Sequence, residues 1–339
     1  MNILTSVNKK YIRQLNVLLN SIAYSNKEEK FNIYVLNKNL DKDDLENITV
    51  NLDSKNFSVI DVKIPDSEID TFPVIEKRYP VEIYFRLFAS DYLPSDIDRI
   101  LYLDCDTVVI NDLKELYNMD FEDNYYIAAT HISKVLHKFN EIRLNIQEDE
   151  PYVNTGVLLI NLKELRKIDV KDKIIKFIEK NQKRLLLPDQ DIIVSLFGNK
   201  IKLIDELKYN LSEIAWYKFN INNSKNKITL KWIIKNTVII HYCGRNKPWN
   251  REYIGSLDCF YNKILKQIKK NKPKKVLILS CGTGGGHNSA AKAVKQALNA
   301  KNIQADFKEY LEITRPNLKD TVNNLYINST NNEGKVFKH

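Results

Sequence analysis

The sequence contains few cysteines and no long apolar run. Its four cysteines, at positions 105, 243, 259 and 281, form no Cys-x-x-Cys pair, which argues against a disulfide framework and against a cysteine-ligated zinc site. No run of the roughly eighteen apolar residues that can span a bilayer occurs. The amino terminus also lacks a basic region followed by an apolar core, so no secretory signal is predicted. We therefore expect a cytoplasmic protein.

The composition is typical of a folded globular protein with an excess of positive charge. Apolar residues make up 43% of the 339 residues, charged residues make up 28%, and the formal net charge is +9. A chain of this length favours one large domain with an appendage. The positive charge either belongs to a solvated surface or favours anionic partners such as nucleotide diphosphates and acidic lipids. Because the lysines lack interleaved aromatic residues, no nucleic-acid partner is expected.

One stretch, Arg99-Ile-Leu-Tyr-Leu-Asp-Cys-Asp-Thr-Val-Val-Ile110, combines a buried strand with two carboxylates. Its apolar and β-branched residues predict the strand, and Asp104 and Asp106 interrupt it where the strand should end. Because alternate residues of a strand share a face, both carboxylates point the same way and Cys105 points into the core. Two anionic oxygens on one face suit Mg²⁺ or Mn²⁺, although an Asp-rich turn that ends a strand would have the same pattern.

Strands alternate with helices along most of the chain, which predicts an α/β fold whose mostly parallel sheet binds a ligand at its carboxyl edge. The predicted strands are residues 2–6, 31–36, 57–64, 125–130, 157–160 and 237–241, and the predicted helices are residues 11–24, 41–52, 80–93 and 192–197. Arg86 lies among apolar residues of one helix, where its guanidinium either extends to solvent or faces an anion in the cleft. Gly156 precedes a strand and permits a close backbone approach.

Two further segments offer candidate site residues. Asp189 and Asp191 open an apolar helix, where acidic residues either cap the helix or act in a site. His241 lies at the end of a strand, where a histidine is more often structural than a ligand. Gly244 and Lys247 follow it closely, and a glycine with a lysine can hold a diphosphate.

The composition changes near residue 262. Seven lysines and no acidic residue occur between Asn262 and Lys275, and Pro273 interrupts this run. The segment is either a solvated helix and linker or a patch that rests on anionic lipid. A strand, a glycine loop and a helix follow over residues 275–300, an arrangement that binds phosphates or other anions. The last 65 residues are too few to complete an α/β domain.

Six motifs in order resemble family 8 of the retaining glycosyltransferases, which includes glycogenin and the bacterial lipopolysaccharide galactosyltransferases. They lie within residues 1–258 and are Thr-Ser-Val-Asn-Lys-Lys-Tyr11, Tyr-Phe-Arg86-Leu, Leu-Tyr-Leu-Asp104-Cys-Asp106, Asn154-Thr-Gly-Val-Leu-Leu-Ile-Asn-Leu162, Pro-Asp189-Gln190-Asp191 and His241-Tyr-Cys-Gly244-Arg-Asn-Lys247-Pro-Trp. The resemblance implies a Rossmann-like, nucleotide-sugar-binding domain of the GT-A type with a mixed, mostly parallel sheet. It also implies retaining transfer of a hexose, glucose or galactose, from a UDP-sugar to a glycolipid or surface-glycan acceptor.

The resemblance assigns metal and catalytic roles to matching positions of this chain. Asp104, Asp106 and His241 would hold Mn²⁺ (or Mg²⁺) against the diphosphate of the donor. Two carboxylates and one imidazole with open coordination positions suit such an ion. Asp189 and Gln190 are the candidate catalytic residues, with Gln190 near the reactive face of the anomeric carbon.

The same resemblance implies a donor-binding set. Its members are Ser6, Asn8, Tyr11, Arg86, Asp104, Cys105, Asp106, Asn154, Gly244 and Lys247. Tyr11 would stack on uracil, and Gly244 and Lys247 would hold the phosphates. Asn8 replaces a residue that is often acidic and touches the base, which weakens the prediction of uracil selectivity. His131 stands where some members place an acid near the sugars, so the donor and acceptor sugars do not carry over.

The tail resembles the start of the monogalactosyldiacylglycerol synthases and the processive diacylglycerol glucosyltransferases. The resemblance rests on Val-Leu-Ile-Leu-Ser-Cys-Gly-Thr-Gly-Gly-Gly-His287-Asn-Ser-Ala-Ala and on Tyr-Leu-Glu-Ile-Thr. It implies a partial, GT-B-like amino-terminal segment whose candidate residues are Gly284, Gly285, Gly286 and His287, the last matching a proposed base. Because the UDP-sugar-binding half of those enzymes is absent, we expect no transferase activity from the tail alone.

The chain is therefore divided into a transferase domain (1–258), a basic helix and linker (259–274) and a truncated diacylglycerol-glycosyltransferase-like segment (275–339). The basic segment allows peripheral contact with the anionic inner face of a membrane. Two other interpretations stay open. The protein is either a catalytically silent module that binds nucleotide or membrane, or the front part of a bifunctional glycolipid synthase.

Overall fold

The computed structural model describes residues 1–69, 80–130, 134–271, 275–280, 285–300 and 303–310. The chain divides into two units, residues 1–270 and 271–339. Among the described residues, the strands of the first unit are β1 Asn2–Ser6, β2 Phe31–Asn37, β3 Phe57–Lys63, β4 Arg99–Leu103, β5 Thr107–Val109, β6 Tyr126–Ala128, β7 Val157–Asn161, β8 Ile201–Leu203 and β9 Ile239–His241.

Several helices of the first unit begin where the sequence supplies a cap or a proline. Asp41 caps α2 in a capping box with Asp44, and Pro188 begins α9, where its missing N–H is not needed. The described α-helices are α1 Ile12–Ser25, α2 Lys42–Thr49, α3 Asp66–Ile69, α4 Ala89–Tyr92, α5 Lys114–Tyr117, α6 Lys134–Leu144, α7 Leu162–Leu165, α8 Val170–Asn181, α9 Pro188–Phe197, α10 Glu206–Tyr209, α11 Glu213–Asn222, α12 Leu230–Asn236 and α13 Asp258–Asn271. The 3₁₀ helices are Lys9–Tyr11, Val81–Phe88, Gln182–Arg184 and Gly198–Lys200.

Seven strands of the first unit form one mixed sheet in the order β3-β2-β1-β4-β7-β6-β8. Strand β7 is antiparallel to both β4 and β6, and the other neighbouring pairs are parallel. The predicted α/β fold with a mixed, mostly parallel sheet is thus confirmed. The sheet brings the carboxyl end of β4 against the residue before β7, because the Asp104 N–H donates to the Gly156 carbonyl at 2.8 Å.

Both faces of the central strands are covered. On β4, Ile100 and Tyr102 face a core that includes the 3₁₀ helix Val81–Phe88 and α9. Leu101 and Leu103 face a second core that includes α1. The near-continuous apolar run of β4 follows from this two-sided burial, as in other buried strands flanked by helices.

A separate two-stranded ribbon extends the end of the sheet. Strand β5 follows β4 directly and pairs antiparallel with β9, with Thr107 opposite His241. The ribbon packs against a third core formed by Val108, Ile240 and apolar residues of α11–α13. It therefore brings His241 next to Asp106, which immediately precedes β5.

The prediction of a single helix over residues 80–93 is wrong in the type of helix. The segment is a 3₁₀ helix, Val81–Phe88, followed by the short helix α4. Its residues from Tyr84 to Phe88 are all buried. Because nearly every side of the segment packs against the protein, tertiary contacts decide its winding rather than a helical period of apolar residues.

The second unit, where it is described, has a strand, a helix and a parallel strand. These are β10 Lys275–Ser280, α14 Gly285–Asn299 and β11 Gln304–Glu309. The prediction of a strand followed by a helix after the basic segment is confirmed. No helix among the described residues of either unit is long and apolar enough to cross a membrane.

Candidate active site

Asp104, Asp106 and His241 converge at the junction of the sheet and the ribbon. One ligand atom from each lies within 4.8 Å of the others. The His241 Nε2 atom is 3.3 Å from Asp106 Oδ1 and 3.9 Å from Asp104 Oδ2. The histidine is buried, whereas the two carboxylates are partly accessible. The structure therefore brings together the three residues that the sequence proposes as metal ligands.

Gly156 makes this convergence sterically possible. A Cβ atom on residue 156 would lie 2.2 Å from His241 Cε1 and 2.7 Å from Asp104 Oδ2, which is far closer than real carbon contacts. Any larger residue would push both groups from their positions. The close approach expected from the sequence at this glycine is thus present, and it is made to the metal-ligand candidates themselves.

A chain of two asparagines fixes the orientation of the His241 ring. The Asn154 Oδ1 atom accepts from the Gly156 N–H at 3.0 Å and from Asn210 Nδ2 at 3.2 Å. Because Asn210 donates there with its nitrogen, its Oδ1 atom accepts from His241 Nδ1 at 2.9 Å. The proton therefore sits on Nδ1, and the Nε2 lone pair faces the two carboxylates, which is the tautomer that binds a metal.

Tyr102 holds the Asp104 carboxylate in position through a hydrogen bond. Its hydroxyl donates to Asp104 Oδ1 at 2.7 Å and lies 2.9 Å from Ser6 Oγ. Burial raises the pKa of Tyr102 well above its usual value, so the phenol stays protonated and remains a donor. Ser6, predicted to bind the donor, thus contacts a residue that positions Asp104.

Arg86 is paired with acidic residues of the cleft. Its guanidinium lies 2.8 Å from Asp104 Oδ1 and 3.3 Å from Asp189 Oδ2, donates to the Thr155 carbonyl and covers the Tyr102 ring. The alternative that it extends to solvent is wrong, because its side chain is 5% exposed. Burial raises the pKa of Asp189, although Arg86 opposes that rise.

Lys247 lies beside Asp106, on the side of the cluster away from Arg86. Its ammonium donates to Asp106 Oδ2 and to the Tyr242 carbonyl. Burial raises the pKa of Asp106, but His241 in its protonated form and the Lys247 ammonium outweigh burial and hold that pKa well below its usual value. Gly244 has a φ of +79°, which glycine adopts without strain in the turn between His241 and Lys247.

The remaining donor-binding candidates lie at the rim or beneath it. Tyr11 is partly exposed and lies edge-on to Trp249, with 6.2 Å between ring centroids. Asn8 caps the 3₁₀ helix that contains Tyr11 by accepting from the Lys10 N–H. Cys105 is buried, and burial raises the pKa of its thiol to about 12. Its Sγ atom lies 3.4 Å from both Thr5 Oγ1 and the Ser6 carbonyl oxygen of β1, so the thiol faces away from the cleft.

The two acids that open α9 have different roles. Asp189 accepts from Thr155 Oγ1 at 2.6 Å and belongs to the cleft. Asp191 is fully buried and accepts from both terminal nitrogens of Arg143 and from the Tyr152 hydroxyl. It also accepts from two backbone N–H groups just before α9, so it fixes the turn that presents Asp189 and Gln190. Gln190 itself is partly exposed.

Three residues that position the site were not singled out in the sequence. Tyr102 had a signal, because it lies two residues before Asp104 on the same face of the strand. Asn210 and Arg143 had none, since their partners are distant in the chain. Of the other candidates, His131 and Gly284 lie outside the described residues. Gly285, Gly286 and His287 form the first turn of α14 in the second unit.

The donor atoms of the cluster fit a divalent cation. They are two carboxylate groups and an imidazole nitrogen whose lone pair is already directed, and the carboxylates retain accessible surface. Hard oxygens combined with one imidazole suit Mn²⁺ or Mg²⁺ and leave positions for a ligand's oxygens. The centre lies at the carboxyl edge of a mixed α/β sheet, where α/β enzymes bind their ligands.

The comparisons with known proteins give the family. Residues 2–253 match the model of glycosyl transferase family 8, and the chain belongs to that family. It is 31% identical over 252 residues to a lipopolysaccharide 1,2-glucosyltransferase of Escherichia coli, covering 74% of this chain and 73% of that one. It is 24% identical over 254 residues to a lipopolysaccharide 1,3-galactosyltransferase of Salmonella typhimurium, covering 74% and 73% of the two chains.

A solved structure of the galactosyltransferase LgtC in complex with donor and acceptor sugar analogues has the same fold. It superposes with a TM-score of 0.66 at 25% identity over 80% of this chain and 96% of that chain. The family and the cluster together make this chain a metal-dependent retaining hexosyltransferase. The resemblance of residues 275–339 to diacylglycerol glycosyltransferases stays a prediction.

Proposed function

We propose that the enzyme transfers glucose or galactose from a UDP-sugar to a glycolipid or surface-glycan acceptor, with Mn²⁺ (or Mg²⁺) as its cofactor. The names of its relatives support this choice, since they are lipopolysaccharide glucosyl- and galactosyltransferases. The structure of LgtC with donor and acceptor sugar analogues supports a nucleotide-sugar donor and a glycan acceptor. The observation that carries the proposal is the convergence of Asp104, Asp106 and His241.

In this proposal the chain's own residues bind the diphosphate and hold the donor. A bound divalent ion would neutralise the charge that develops on the departing UDP. Lys247 is already at the cluster and would add a second positive charge to the phosphates, while Gly244 lets the backbone approach them. Tyr11, at the rim beside Trp249, offers a ring on which uracil stacks.

The sugar would lie between the cluster and the first turn of α9. Arg86 and Asp189, linked to each other and to Thr155, form a buried polar wall that can bind sugar hydroxyls. Gln190 follows Asp189 and retains accessible surface, so its amide can face the anomeric carbon. The other donor-binding candidate, Asn154, acts through Asn210 on His241.

Peripheral contact with the inner face of a membrane is part of this proposal, because a glycolipid acceptor lies there. The outward lysines of α13 support it. The apolar face of that helix packs into the third core through residues such as Ile264 and Ile268, while Lys263, Lys266, Lys269 and Lys270 are exposed.

The proposal is tested by measuring UDP release from purified protein with a panel of UDP-hexoses, with and without Mn²⁺. We expect metal-stimulated release with UDP-glucose or UDP-galactose, and a loss of at least about 100-fold in Asp106→Asn, because a metal ligand and the Lys247 partner are removed together. Asp98→Asn, which changes an exposed acid just before β4, is the matched control. Equal release by Asp106→Asn and Asp98→Asn, or no metal stimulation with any donor, would contradict the proposal.

A further inference from the structure

Helix α11 carries apolar side chains on two opposite faces. Ala215 and Trp216 pack into the third core. On the opposite side, Ile214, Tyr217 and Ile221 are 60%, 68% and 70% exposed. Their spacing of three and four residues places them in one row along the helix. A row of large exposed apolar side chains along one helix face is typical of a surface that binds a partner.

The row belongs to a fixed hairpin formed by α11 and α12, residues 213–236. Trp216 Nε1 and Asn220 Nδ2, both on α11, donate to the carbonyl of Ile228 at 2.8 and 3.0 Å. Helix α12 also presents apolar side chains outward, because Leu230 and Ile234 are exposed while Ile233 is buried. The apolar surface is therefore held in place by the fold and is not a frayed end.

The hairpin is positively charged and holds no spare carboxylate. All of its residues are described by the structure, and its exposed charged residues are Lys218, Lys225, Lys227, Lys231 and Lys235. Its single acid is Glu213, whose Oε1 atom accepts from the Tyr253 hydroxyl and from the N–H groups of Ser256 and Leu257. A partner for the apolar row must therefore also accommodate Lys225, Lys227, Lys231 and Lys235, which favours an anionic surface.

The base of the hairpin adjoins the candidate metal site. Leu211 pairs with β9, since its N–H donates to the Ile239 carbonyl and its carbonyl accepts from the His241 N–H at 2.8 Å. Asn210, which orients the His241 ring, precedes Leu211 directly. The hairpin is thus connected to the cluster of metal-ligand candidates through Leu211 and Asn210, which are both hydrogen-bonded to β9.

We propose that the α11–α12 hairpin rests on an anionic phospholipid bilayer. Its apolar row enters the headgroup region, where tyrosine and aliphatic side chains are stabilised, and its lysines bind lipid phosphates. A second copy of the chain fits poorly, because a symmetric contact would bring the same lysines together in a protein of net charge +9. The choice of a bilayer over other anionic surfaces rests on the proposed glycolipid acceptor.

The experiment is sedimentation of the full chain, without donor or acceptor, with vesicles of phosphatidylcholine alone and with vesicles that also contain phosphatidylglycerol. We expect binding to the anionic vesicles that weakens with added salt. Combined Ile214→Ser, Tyr217→Ser and Ile221→Ser should lower the affinity at least about tenfold. Combined Lys225→Gln, Lys227→Gln and Lys231→Gln should lower it by about fivefold per lysine.

Two matched sets separate this surface from other exposed residues. Leu136→Ser, Phe139→Ser and Ile142→Ser change an exposed apolar set on α6, and Lys173→Gln, Lys180→Gln and Lys183→Gln change exposed lysines on and just after α8. Both sets should retain most of the binding. Thermal melting, with UDP release in vesicle-free solution, checks that each variant is folded.

Unchanged vesicle binding by both hairpin variants would overturn the inference. So would an equal loss of binding in the α8 set, or a dimer in sedimentation velocity that the serine variants convert to monomer. If the full chain binds vesicles as described but releases no UDP from any donor, only the proposed function fails.

Discussion

At the scale of single residues, His241 depends on Asn210. Replacing Asn210 by leucine keeps the branching of the side chain but removes the acceptor that holds the proton on Nδ1. We expect Mn²⁺ affinity to fall by about 10- to 100-fold, the usual cost of losing such a partner. Titration of Mn²⁺ followed by electron paramagnetic resonance measures this directly. Asn236→Leu, whose amide bonds only the end of α12, is the control, and equal affinity in the two variants would show that Asn210 does not orient the ring.

Gly156 gives a second prediction at this scale. In Gly156→Ala the new methyl would displace His241 and Asp104, so we expect loss of metal-stimulated UDP release by about 100-fold or more. Gly286→Ala is the control, because a Cβ there meets nothing within 4 Å and the residue lies in α14. That helical position should tolerate alanine or gain about 1 kcal/mol. Normal turnover by Gly156→Ala would mean that the cluster adapts to the methyl group.

The residues that could be predicted from the sequence are those that carry chemistry within a recognisable motif. Asp104, Asp106 and His241 belong to this group, and the structure brings them together. Asn210 and Arg143 could not be predicted, because an asparagine or an arginine has no local pattern that identifies its partner. Tyr102 lies in an apolar run, and its ring fits the pattern of a buried strand. That pattern therefore gives no sign that its hydroxyl donates to Asp104.

At the scale of elements, the buried pair of Arg143 and Asp191 joins α6 to α9. Arg143→Met would leave the fully buried Asp191 without its charge partner, which costs about 3–5 kcal/mol in comparable sites. We expect a lower unfolding midpoint in denaturant and a lower rate of UDP release, because the same turn carries Asp189 and Gln190. Lys176→Met breaks an exposed pair with Asp172 and should change neither quantity measurably. A midpoint for Arg143→Met equal to that control would exclude a structural role for the pair.

The order and type of most elements could be predicted from the sequence. The direction of each strand in the sheet and the type of each helix could not. The sequence of strand β7 is a run of apolar residues that predicts a buried strand. Such a run does not indicate whether the neighbouring strands are parallel or antiparallel. The segment from Val81 to Phe88 is apolar on most sides, so its sequence does not distinguish a 3₁₀ helix from an α-helix. Strands that are far apart in the sequence, such as β5 and β9, carry no local pattern that predicts their pairing.

At the scale of the whole molecule, α13 decides where the first unit ends. Phe260, Tyr261, Ile264 and Ile268 are buried in the third core, and each contributes about 1.5–3 kcal/mol by burial. Together they match the net stability of a typical domain. We therefore expect residues 1–270 to fold and residues 1–258 to remain unfolded, as measured by circular dichroism and thermal melting. Cooperative melting of the shorter fragment would support the domain boundary predicted from the sequence.

The pairing of β5 with β9 also has a consequence for biosynthesis. All seven strands of the sheet precede residue 204, whereas His241 is contributed by a later segment. Because a chain leaves the ribosome from its amino terminus, every strand of the sheet and both aspartates are synthesised before the imidazole emerges. A stalled nascent chain ending before β9 should therefore show no selective uptake of manganese, which we expect only after β9 and the stabilising helix α13 have emerged.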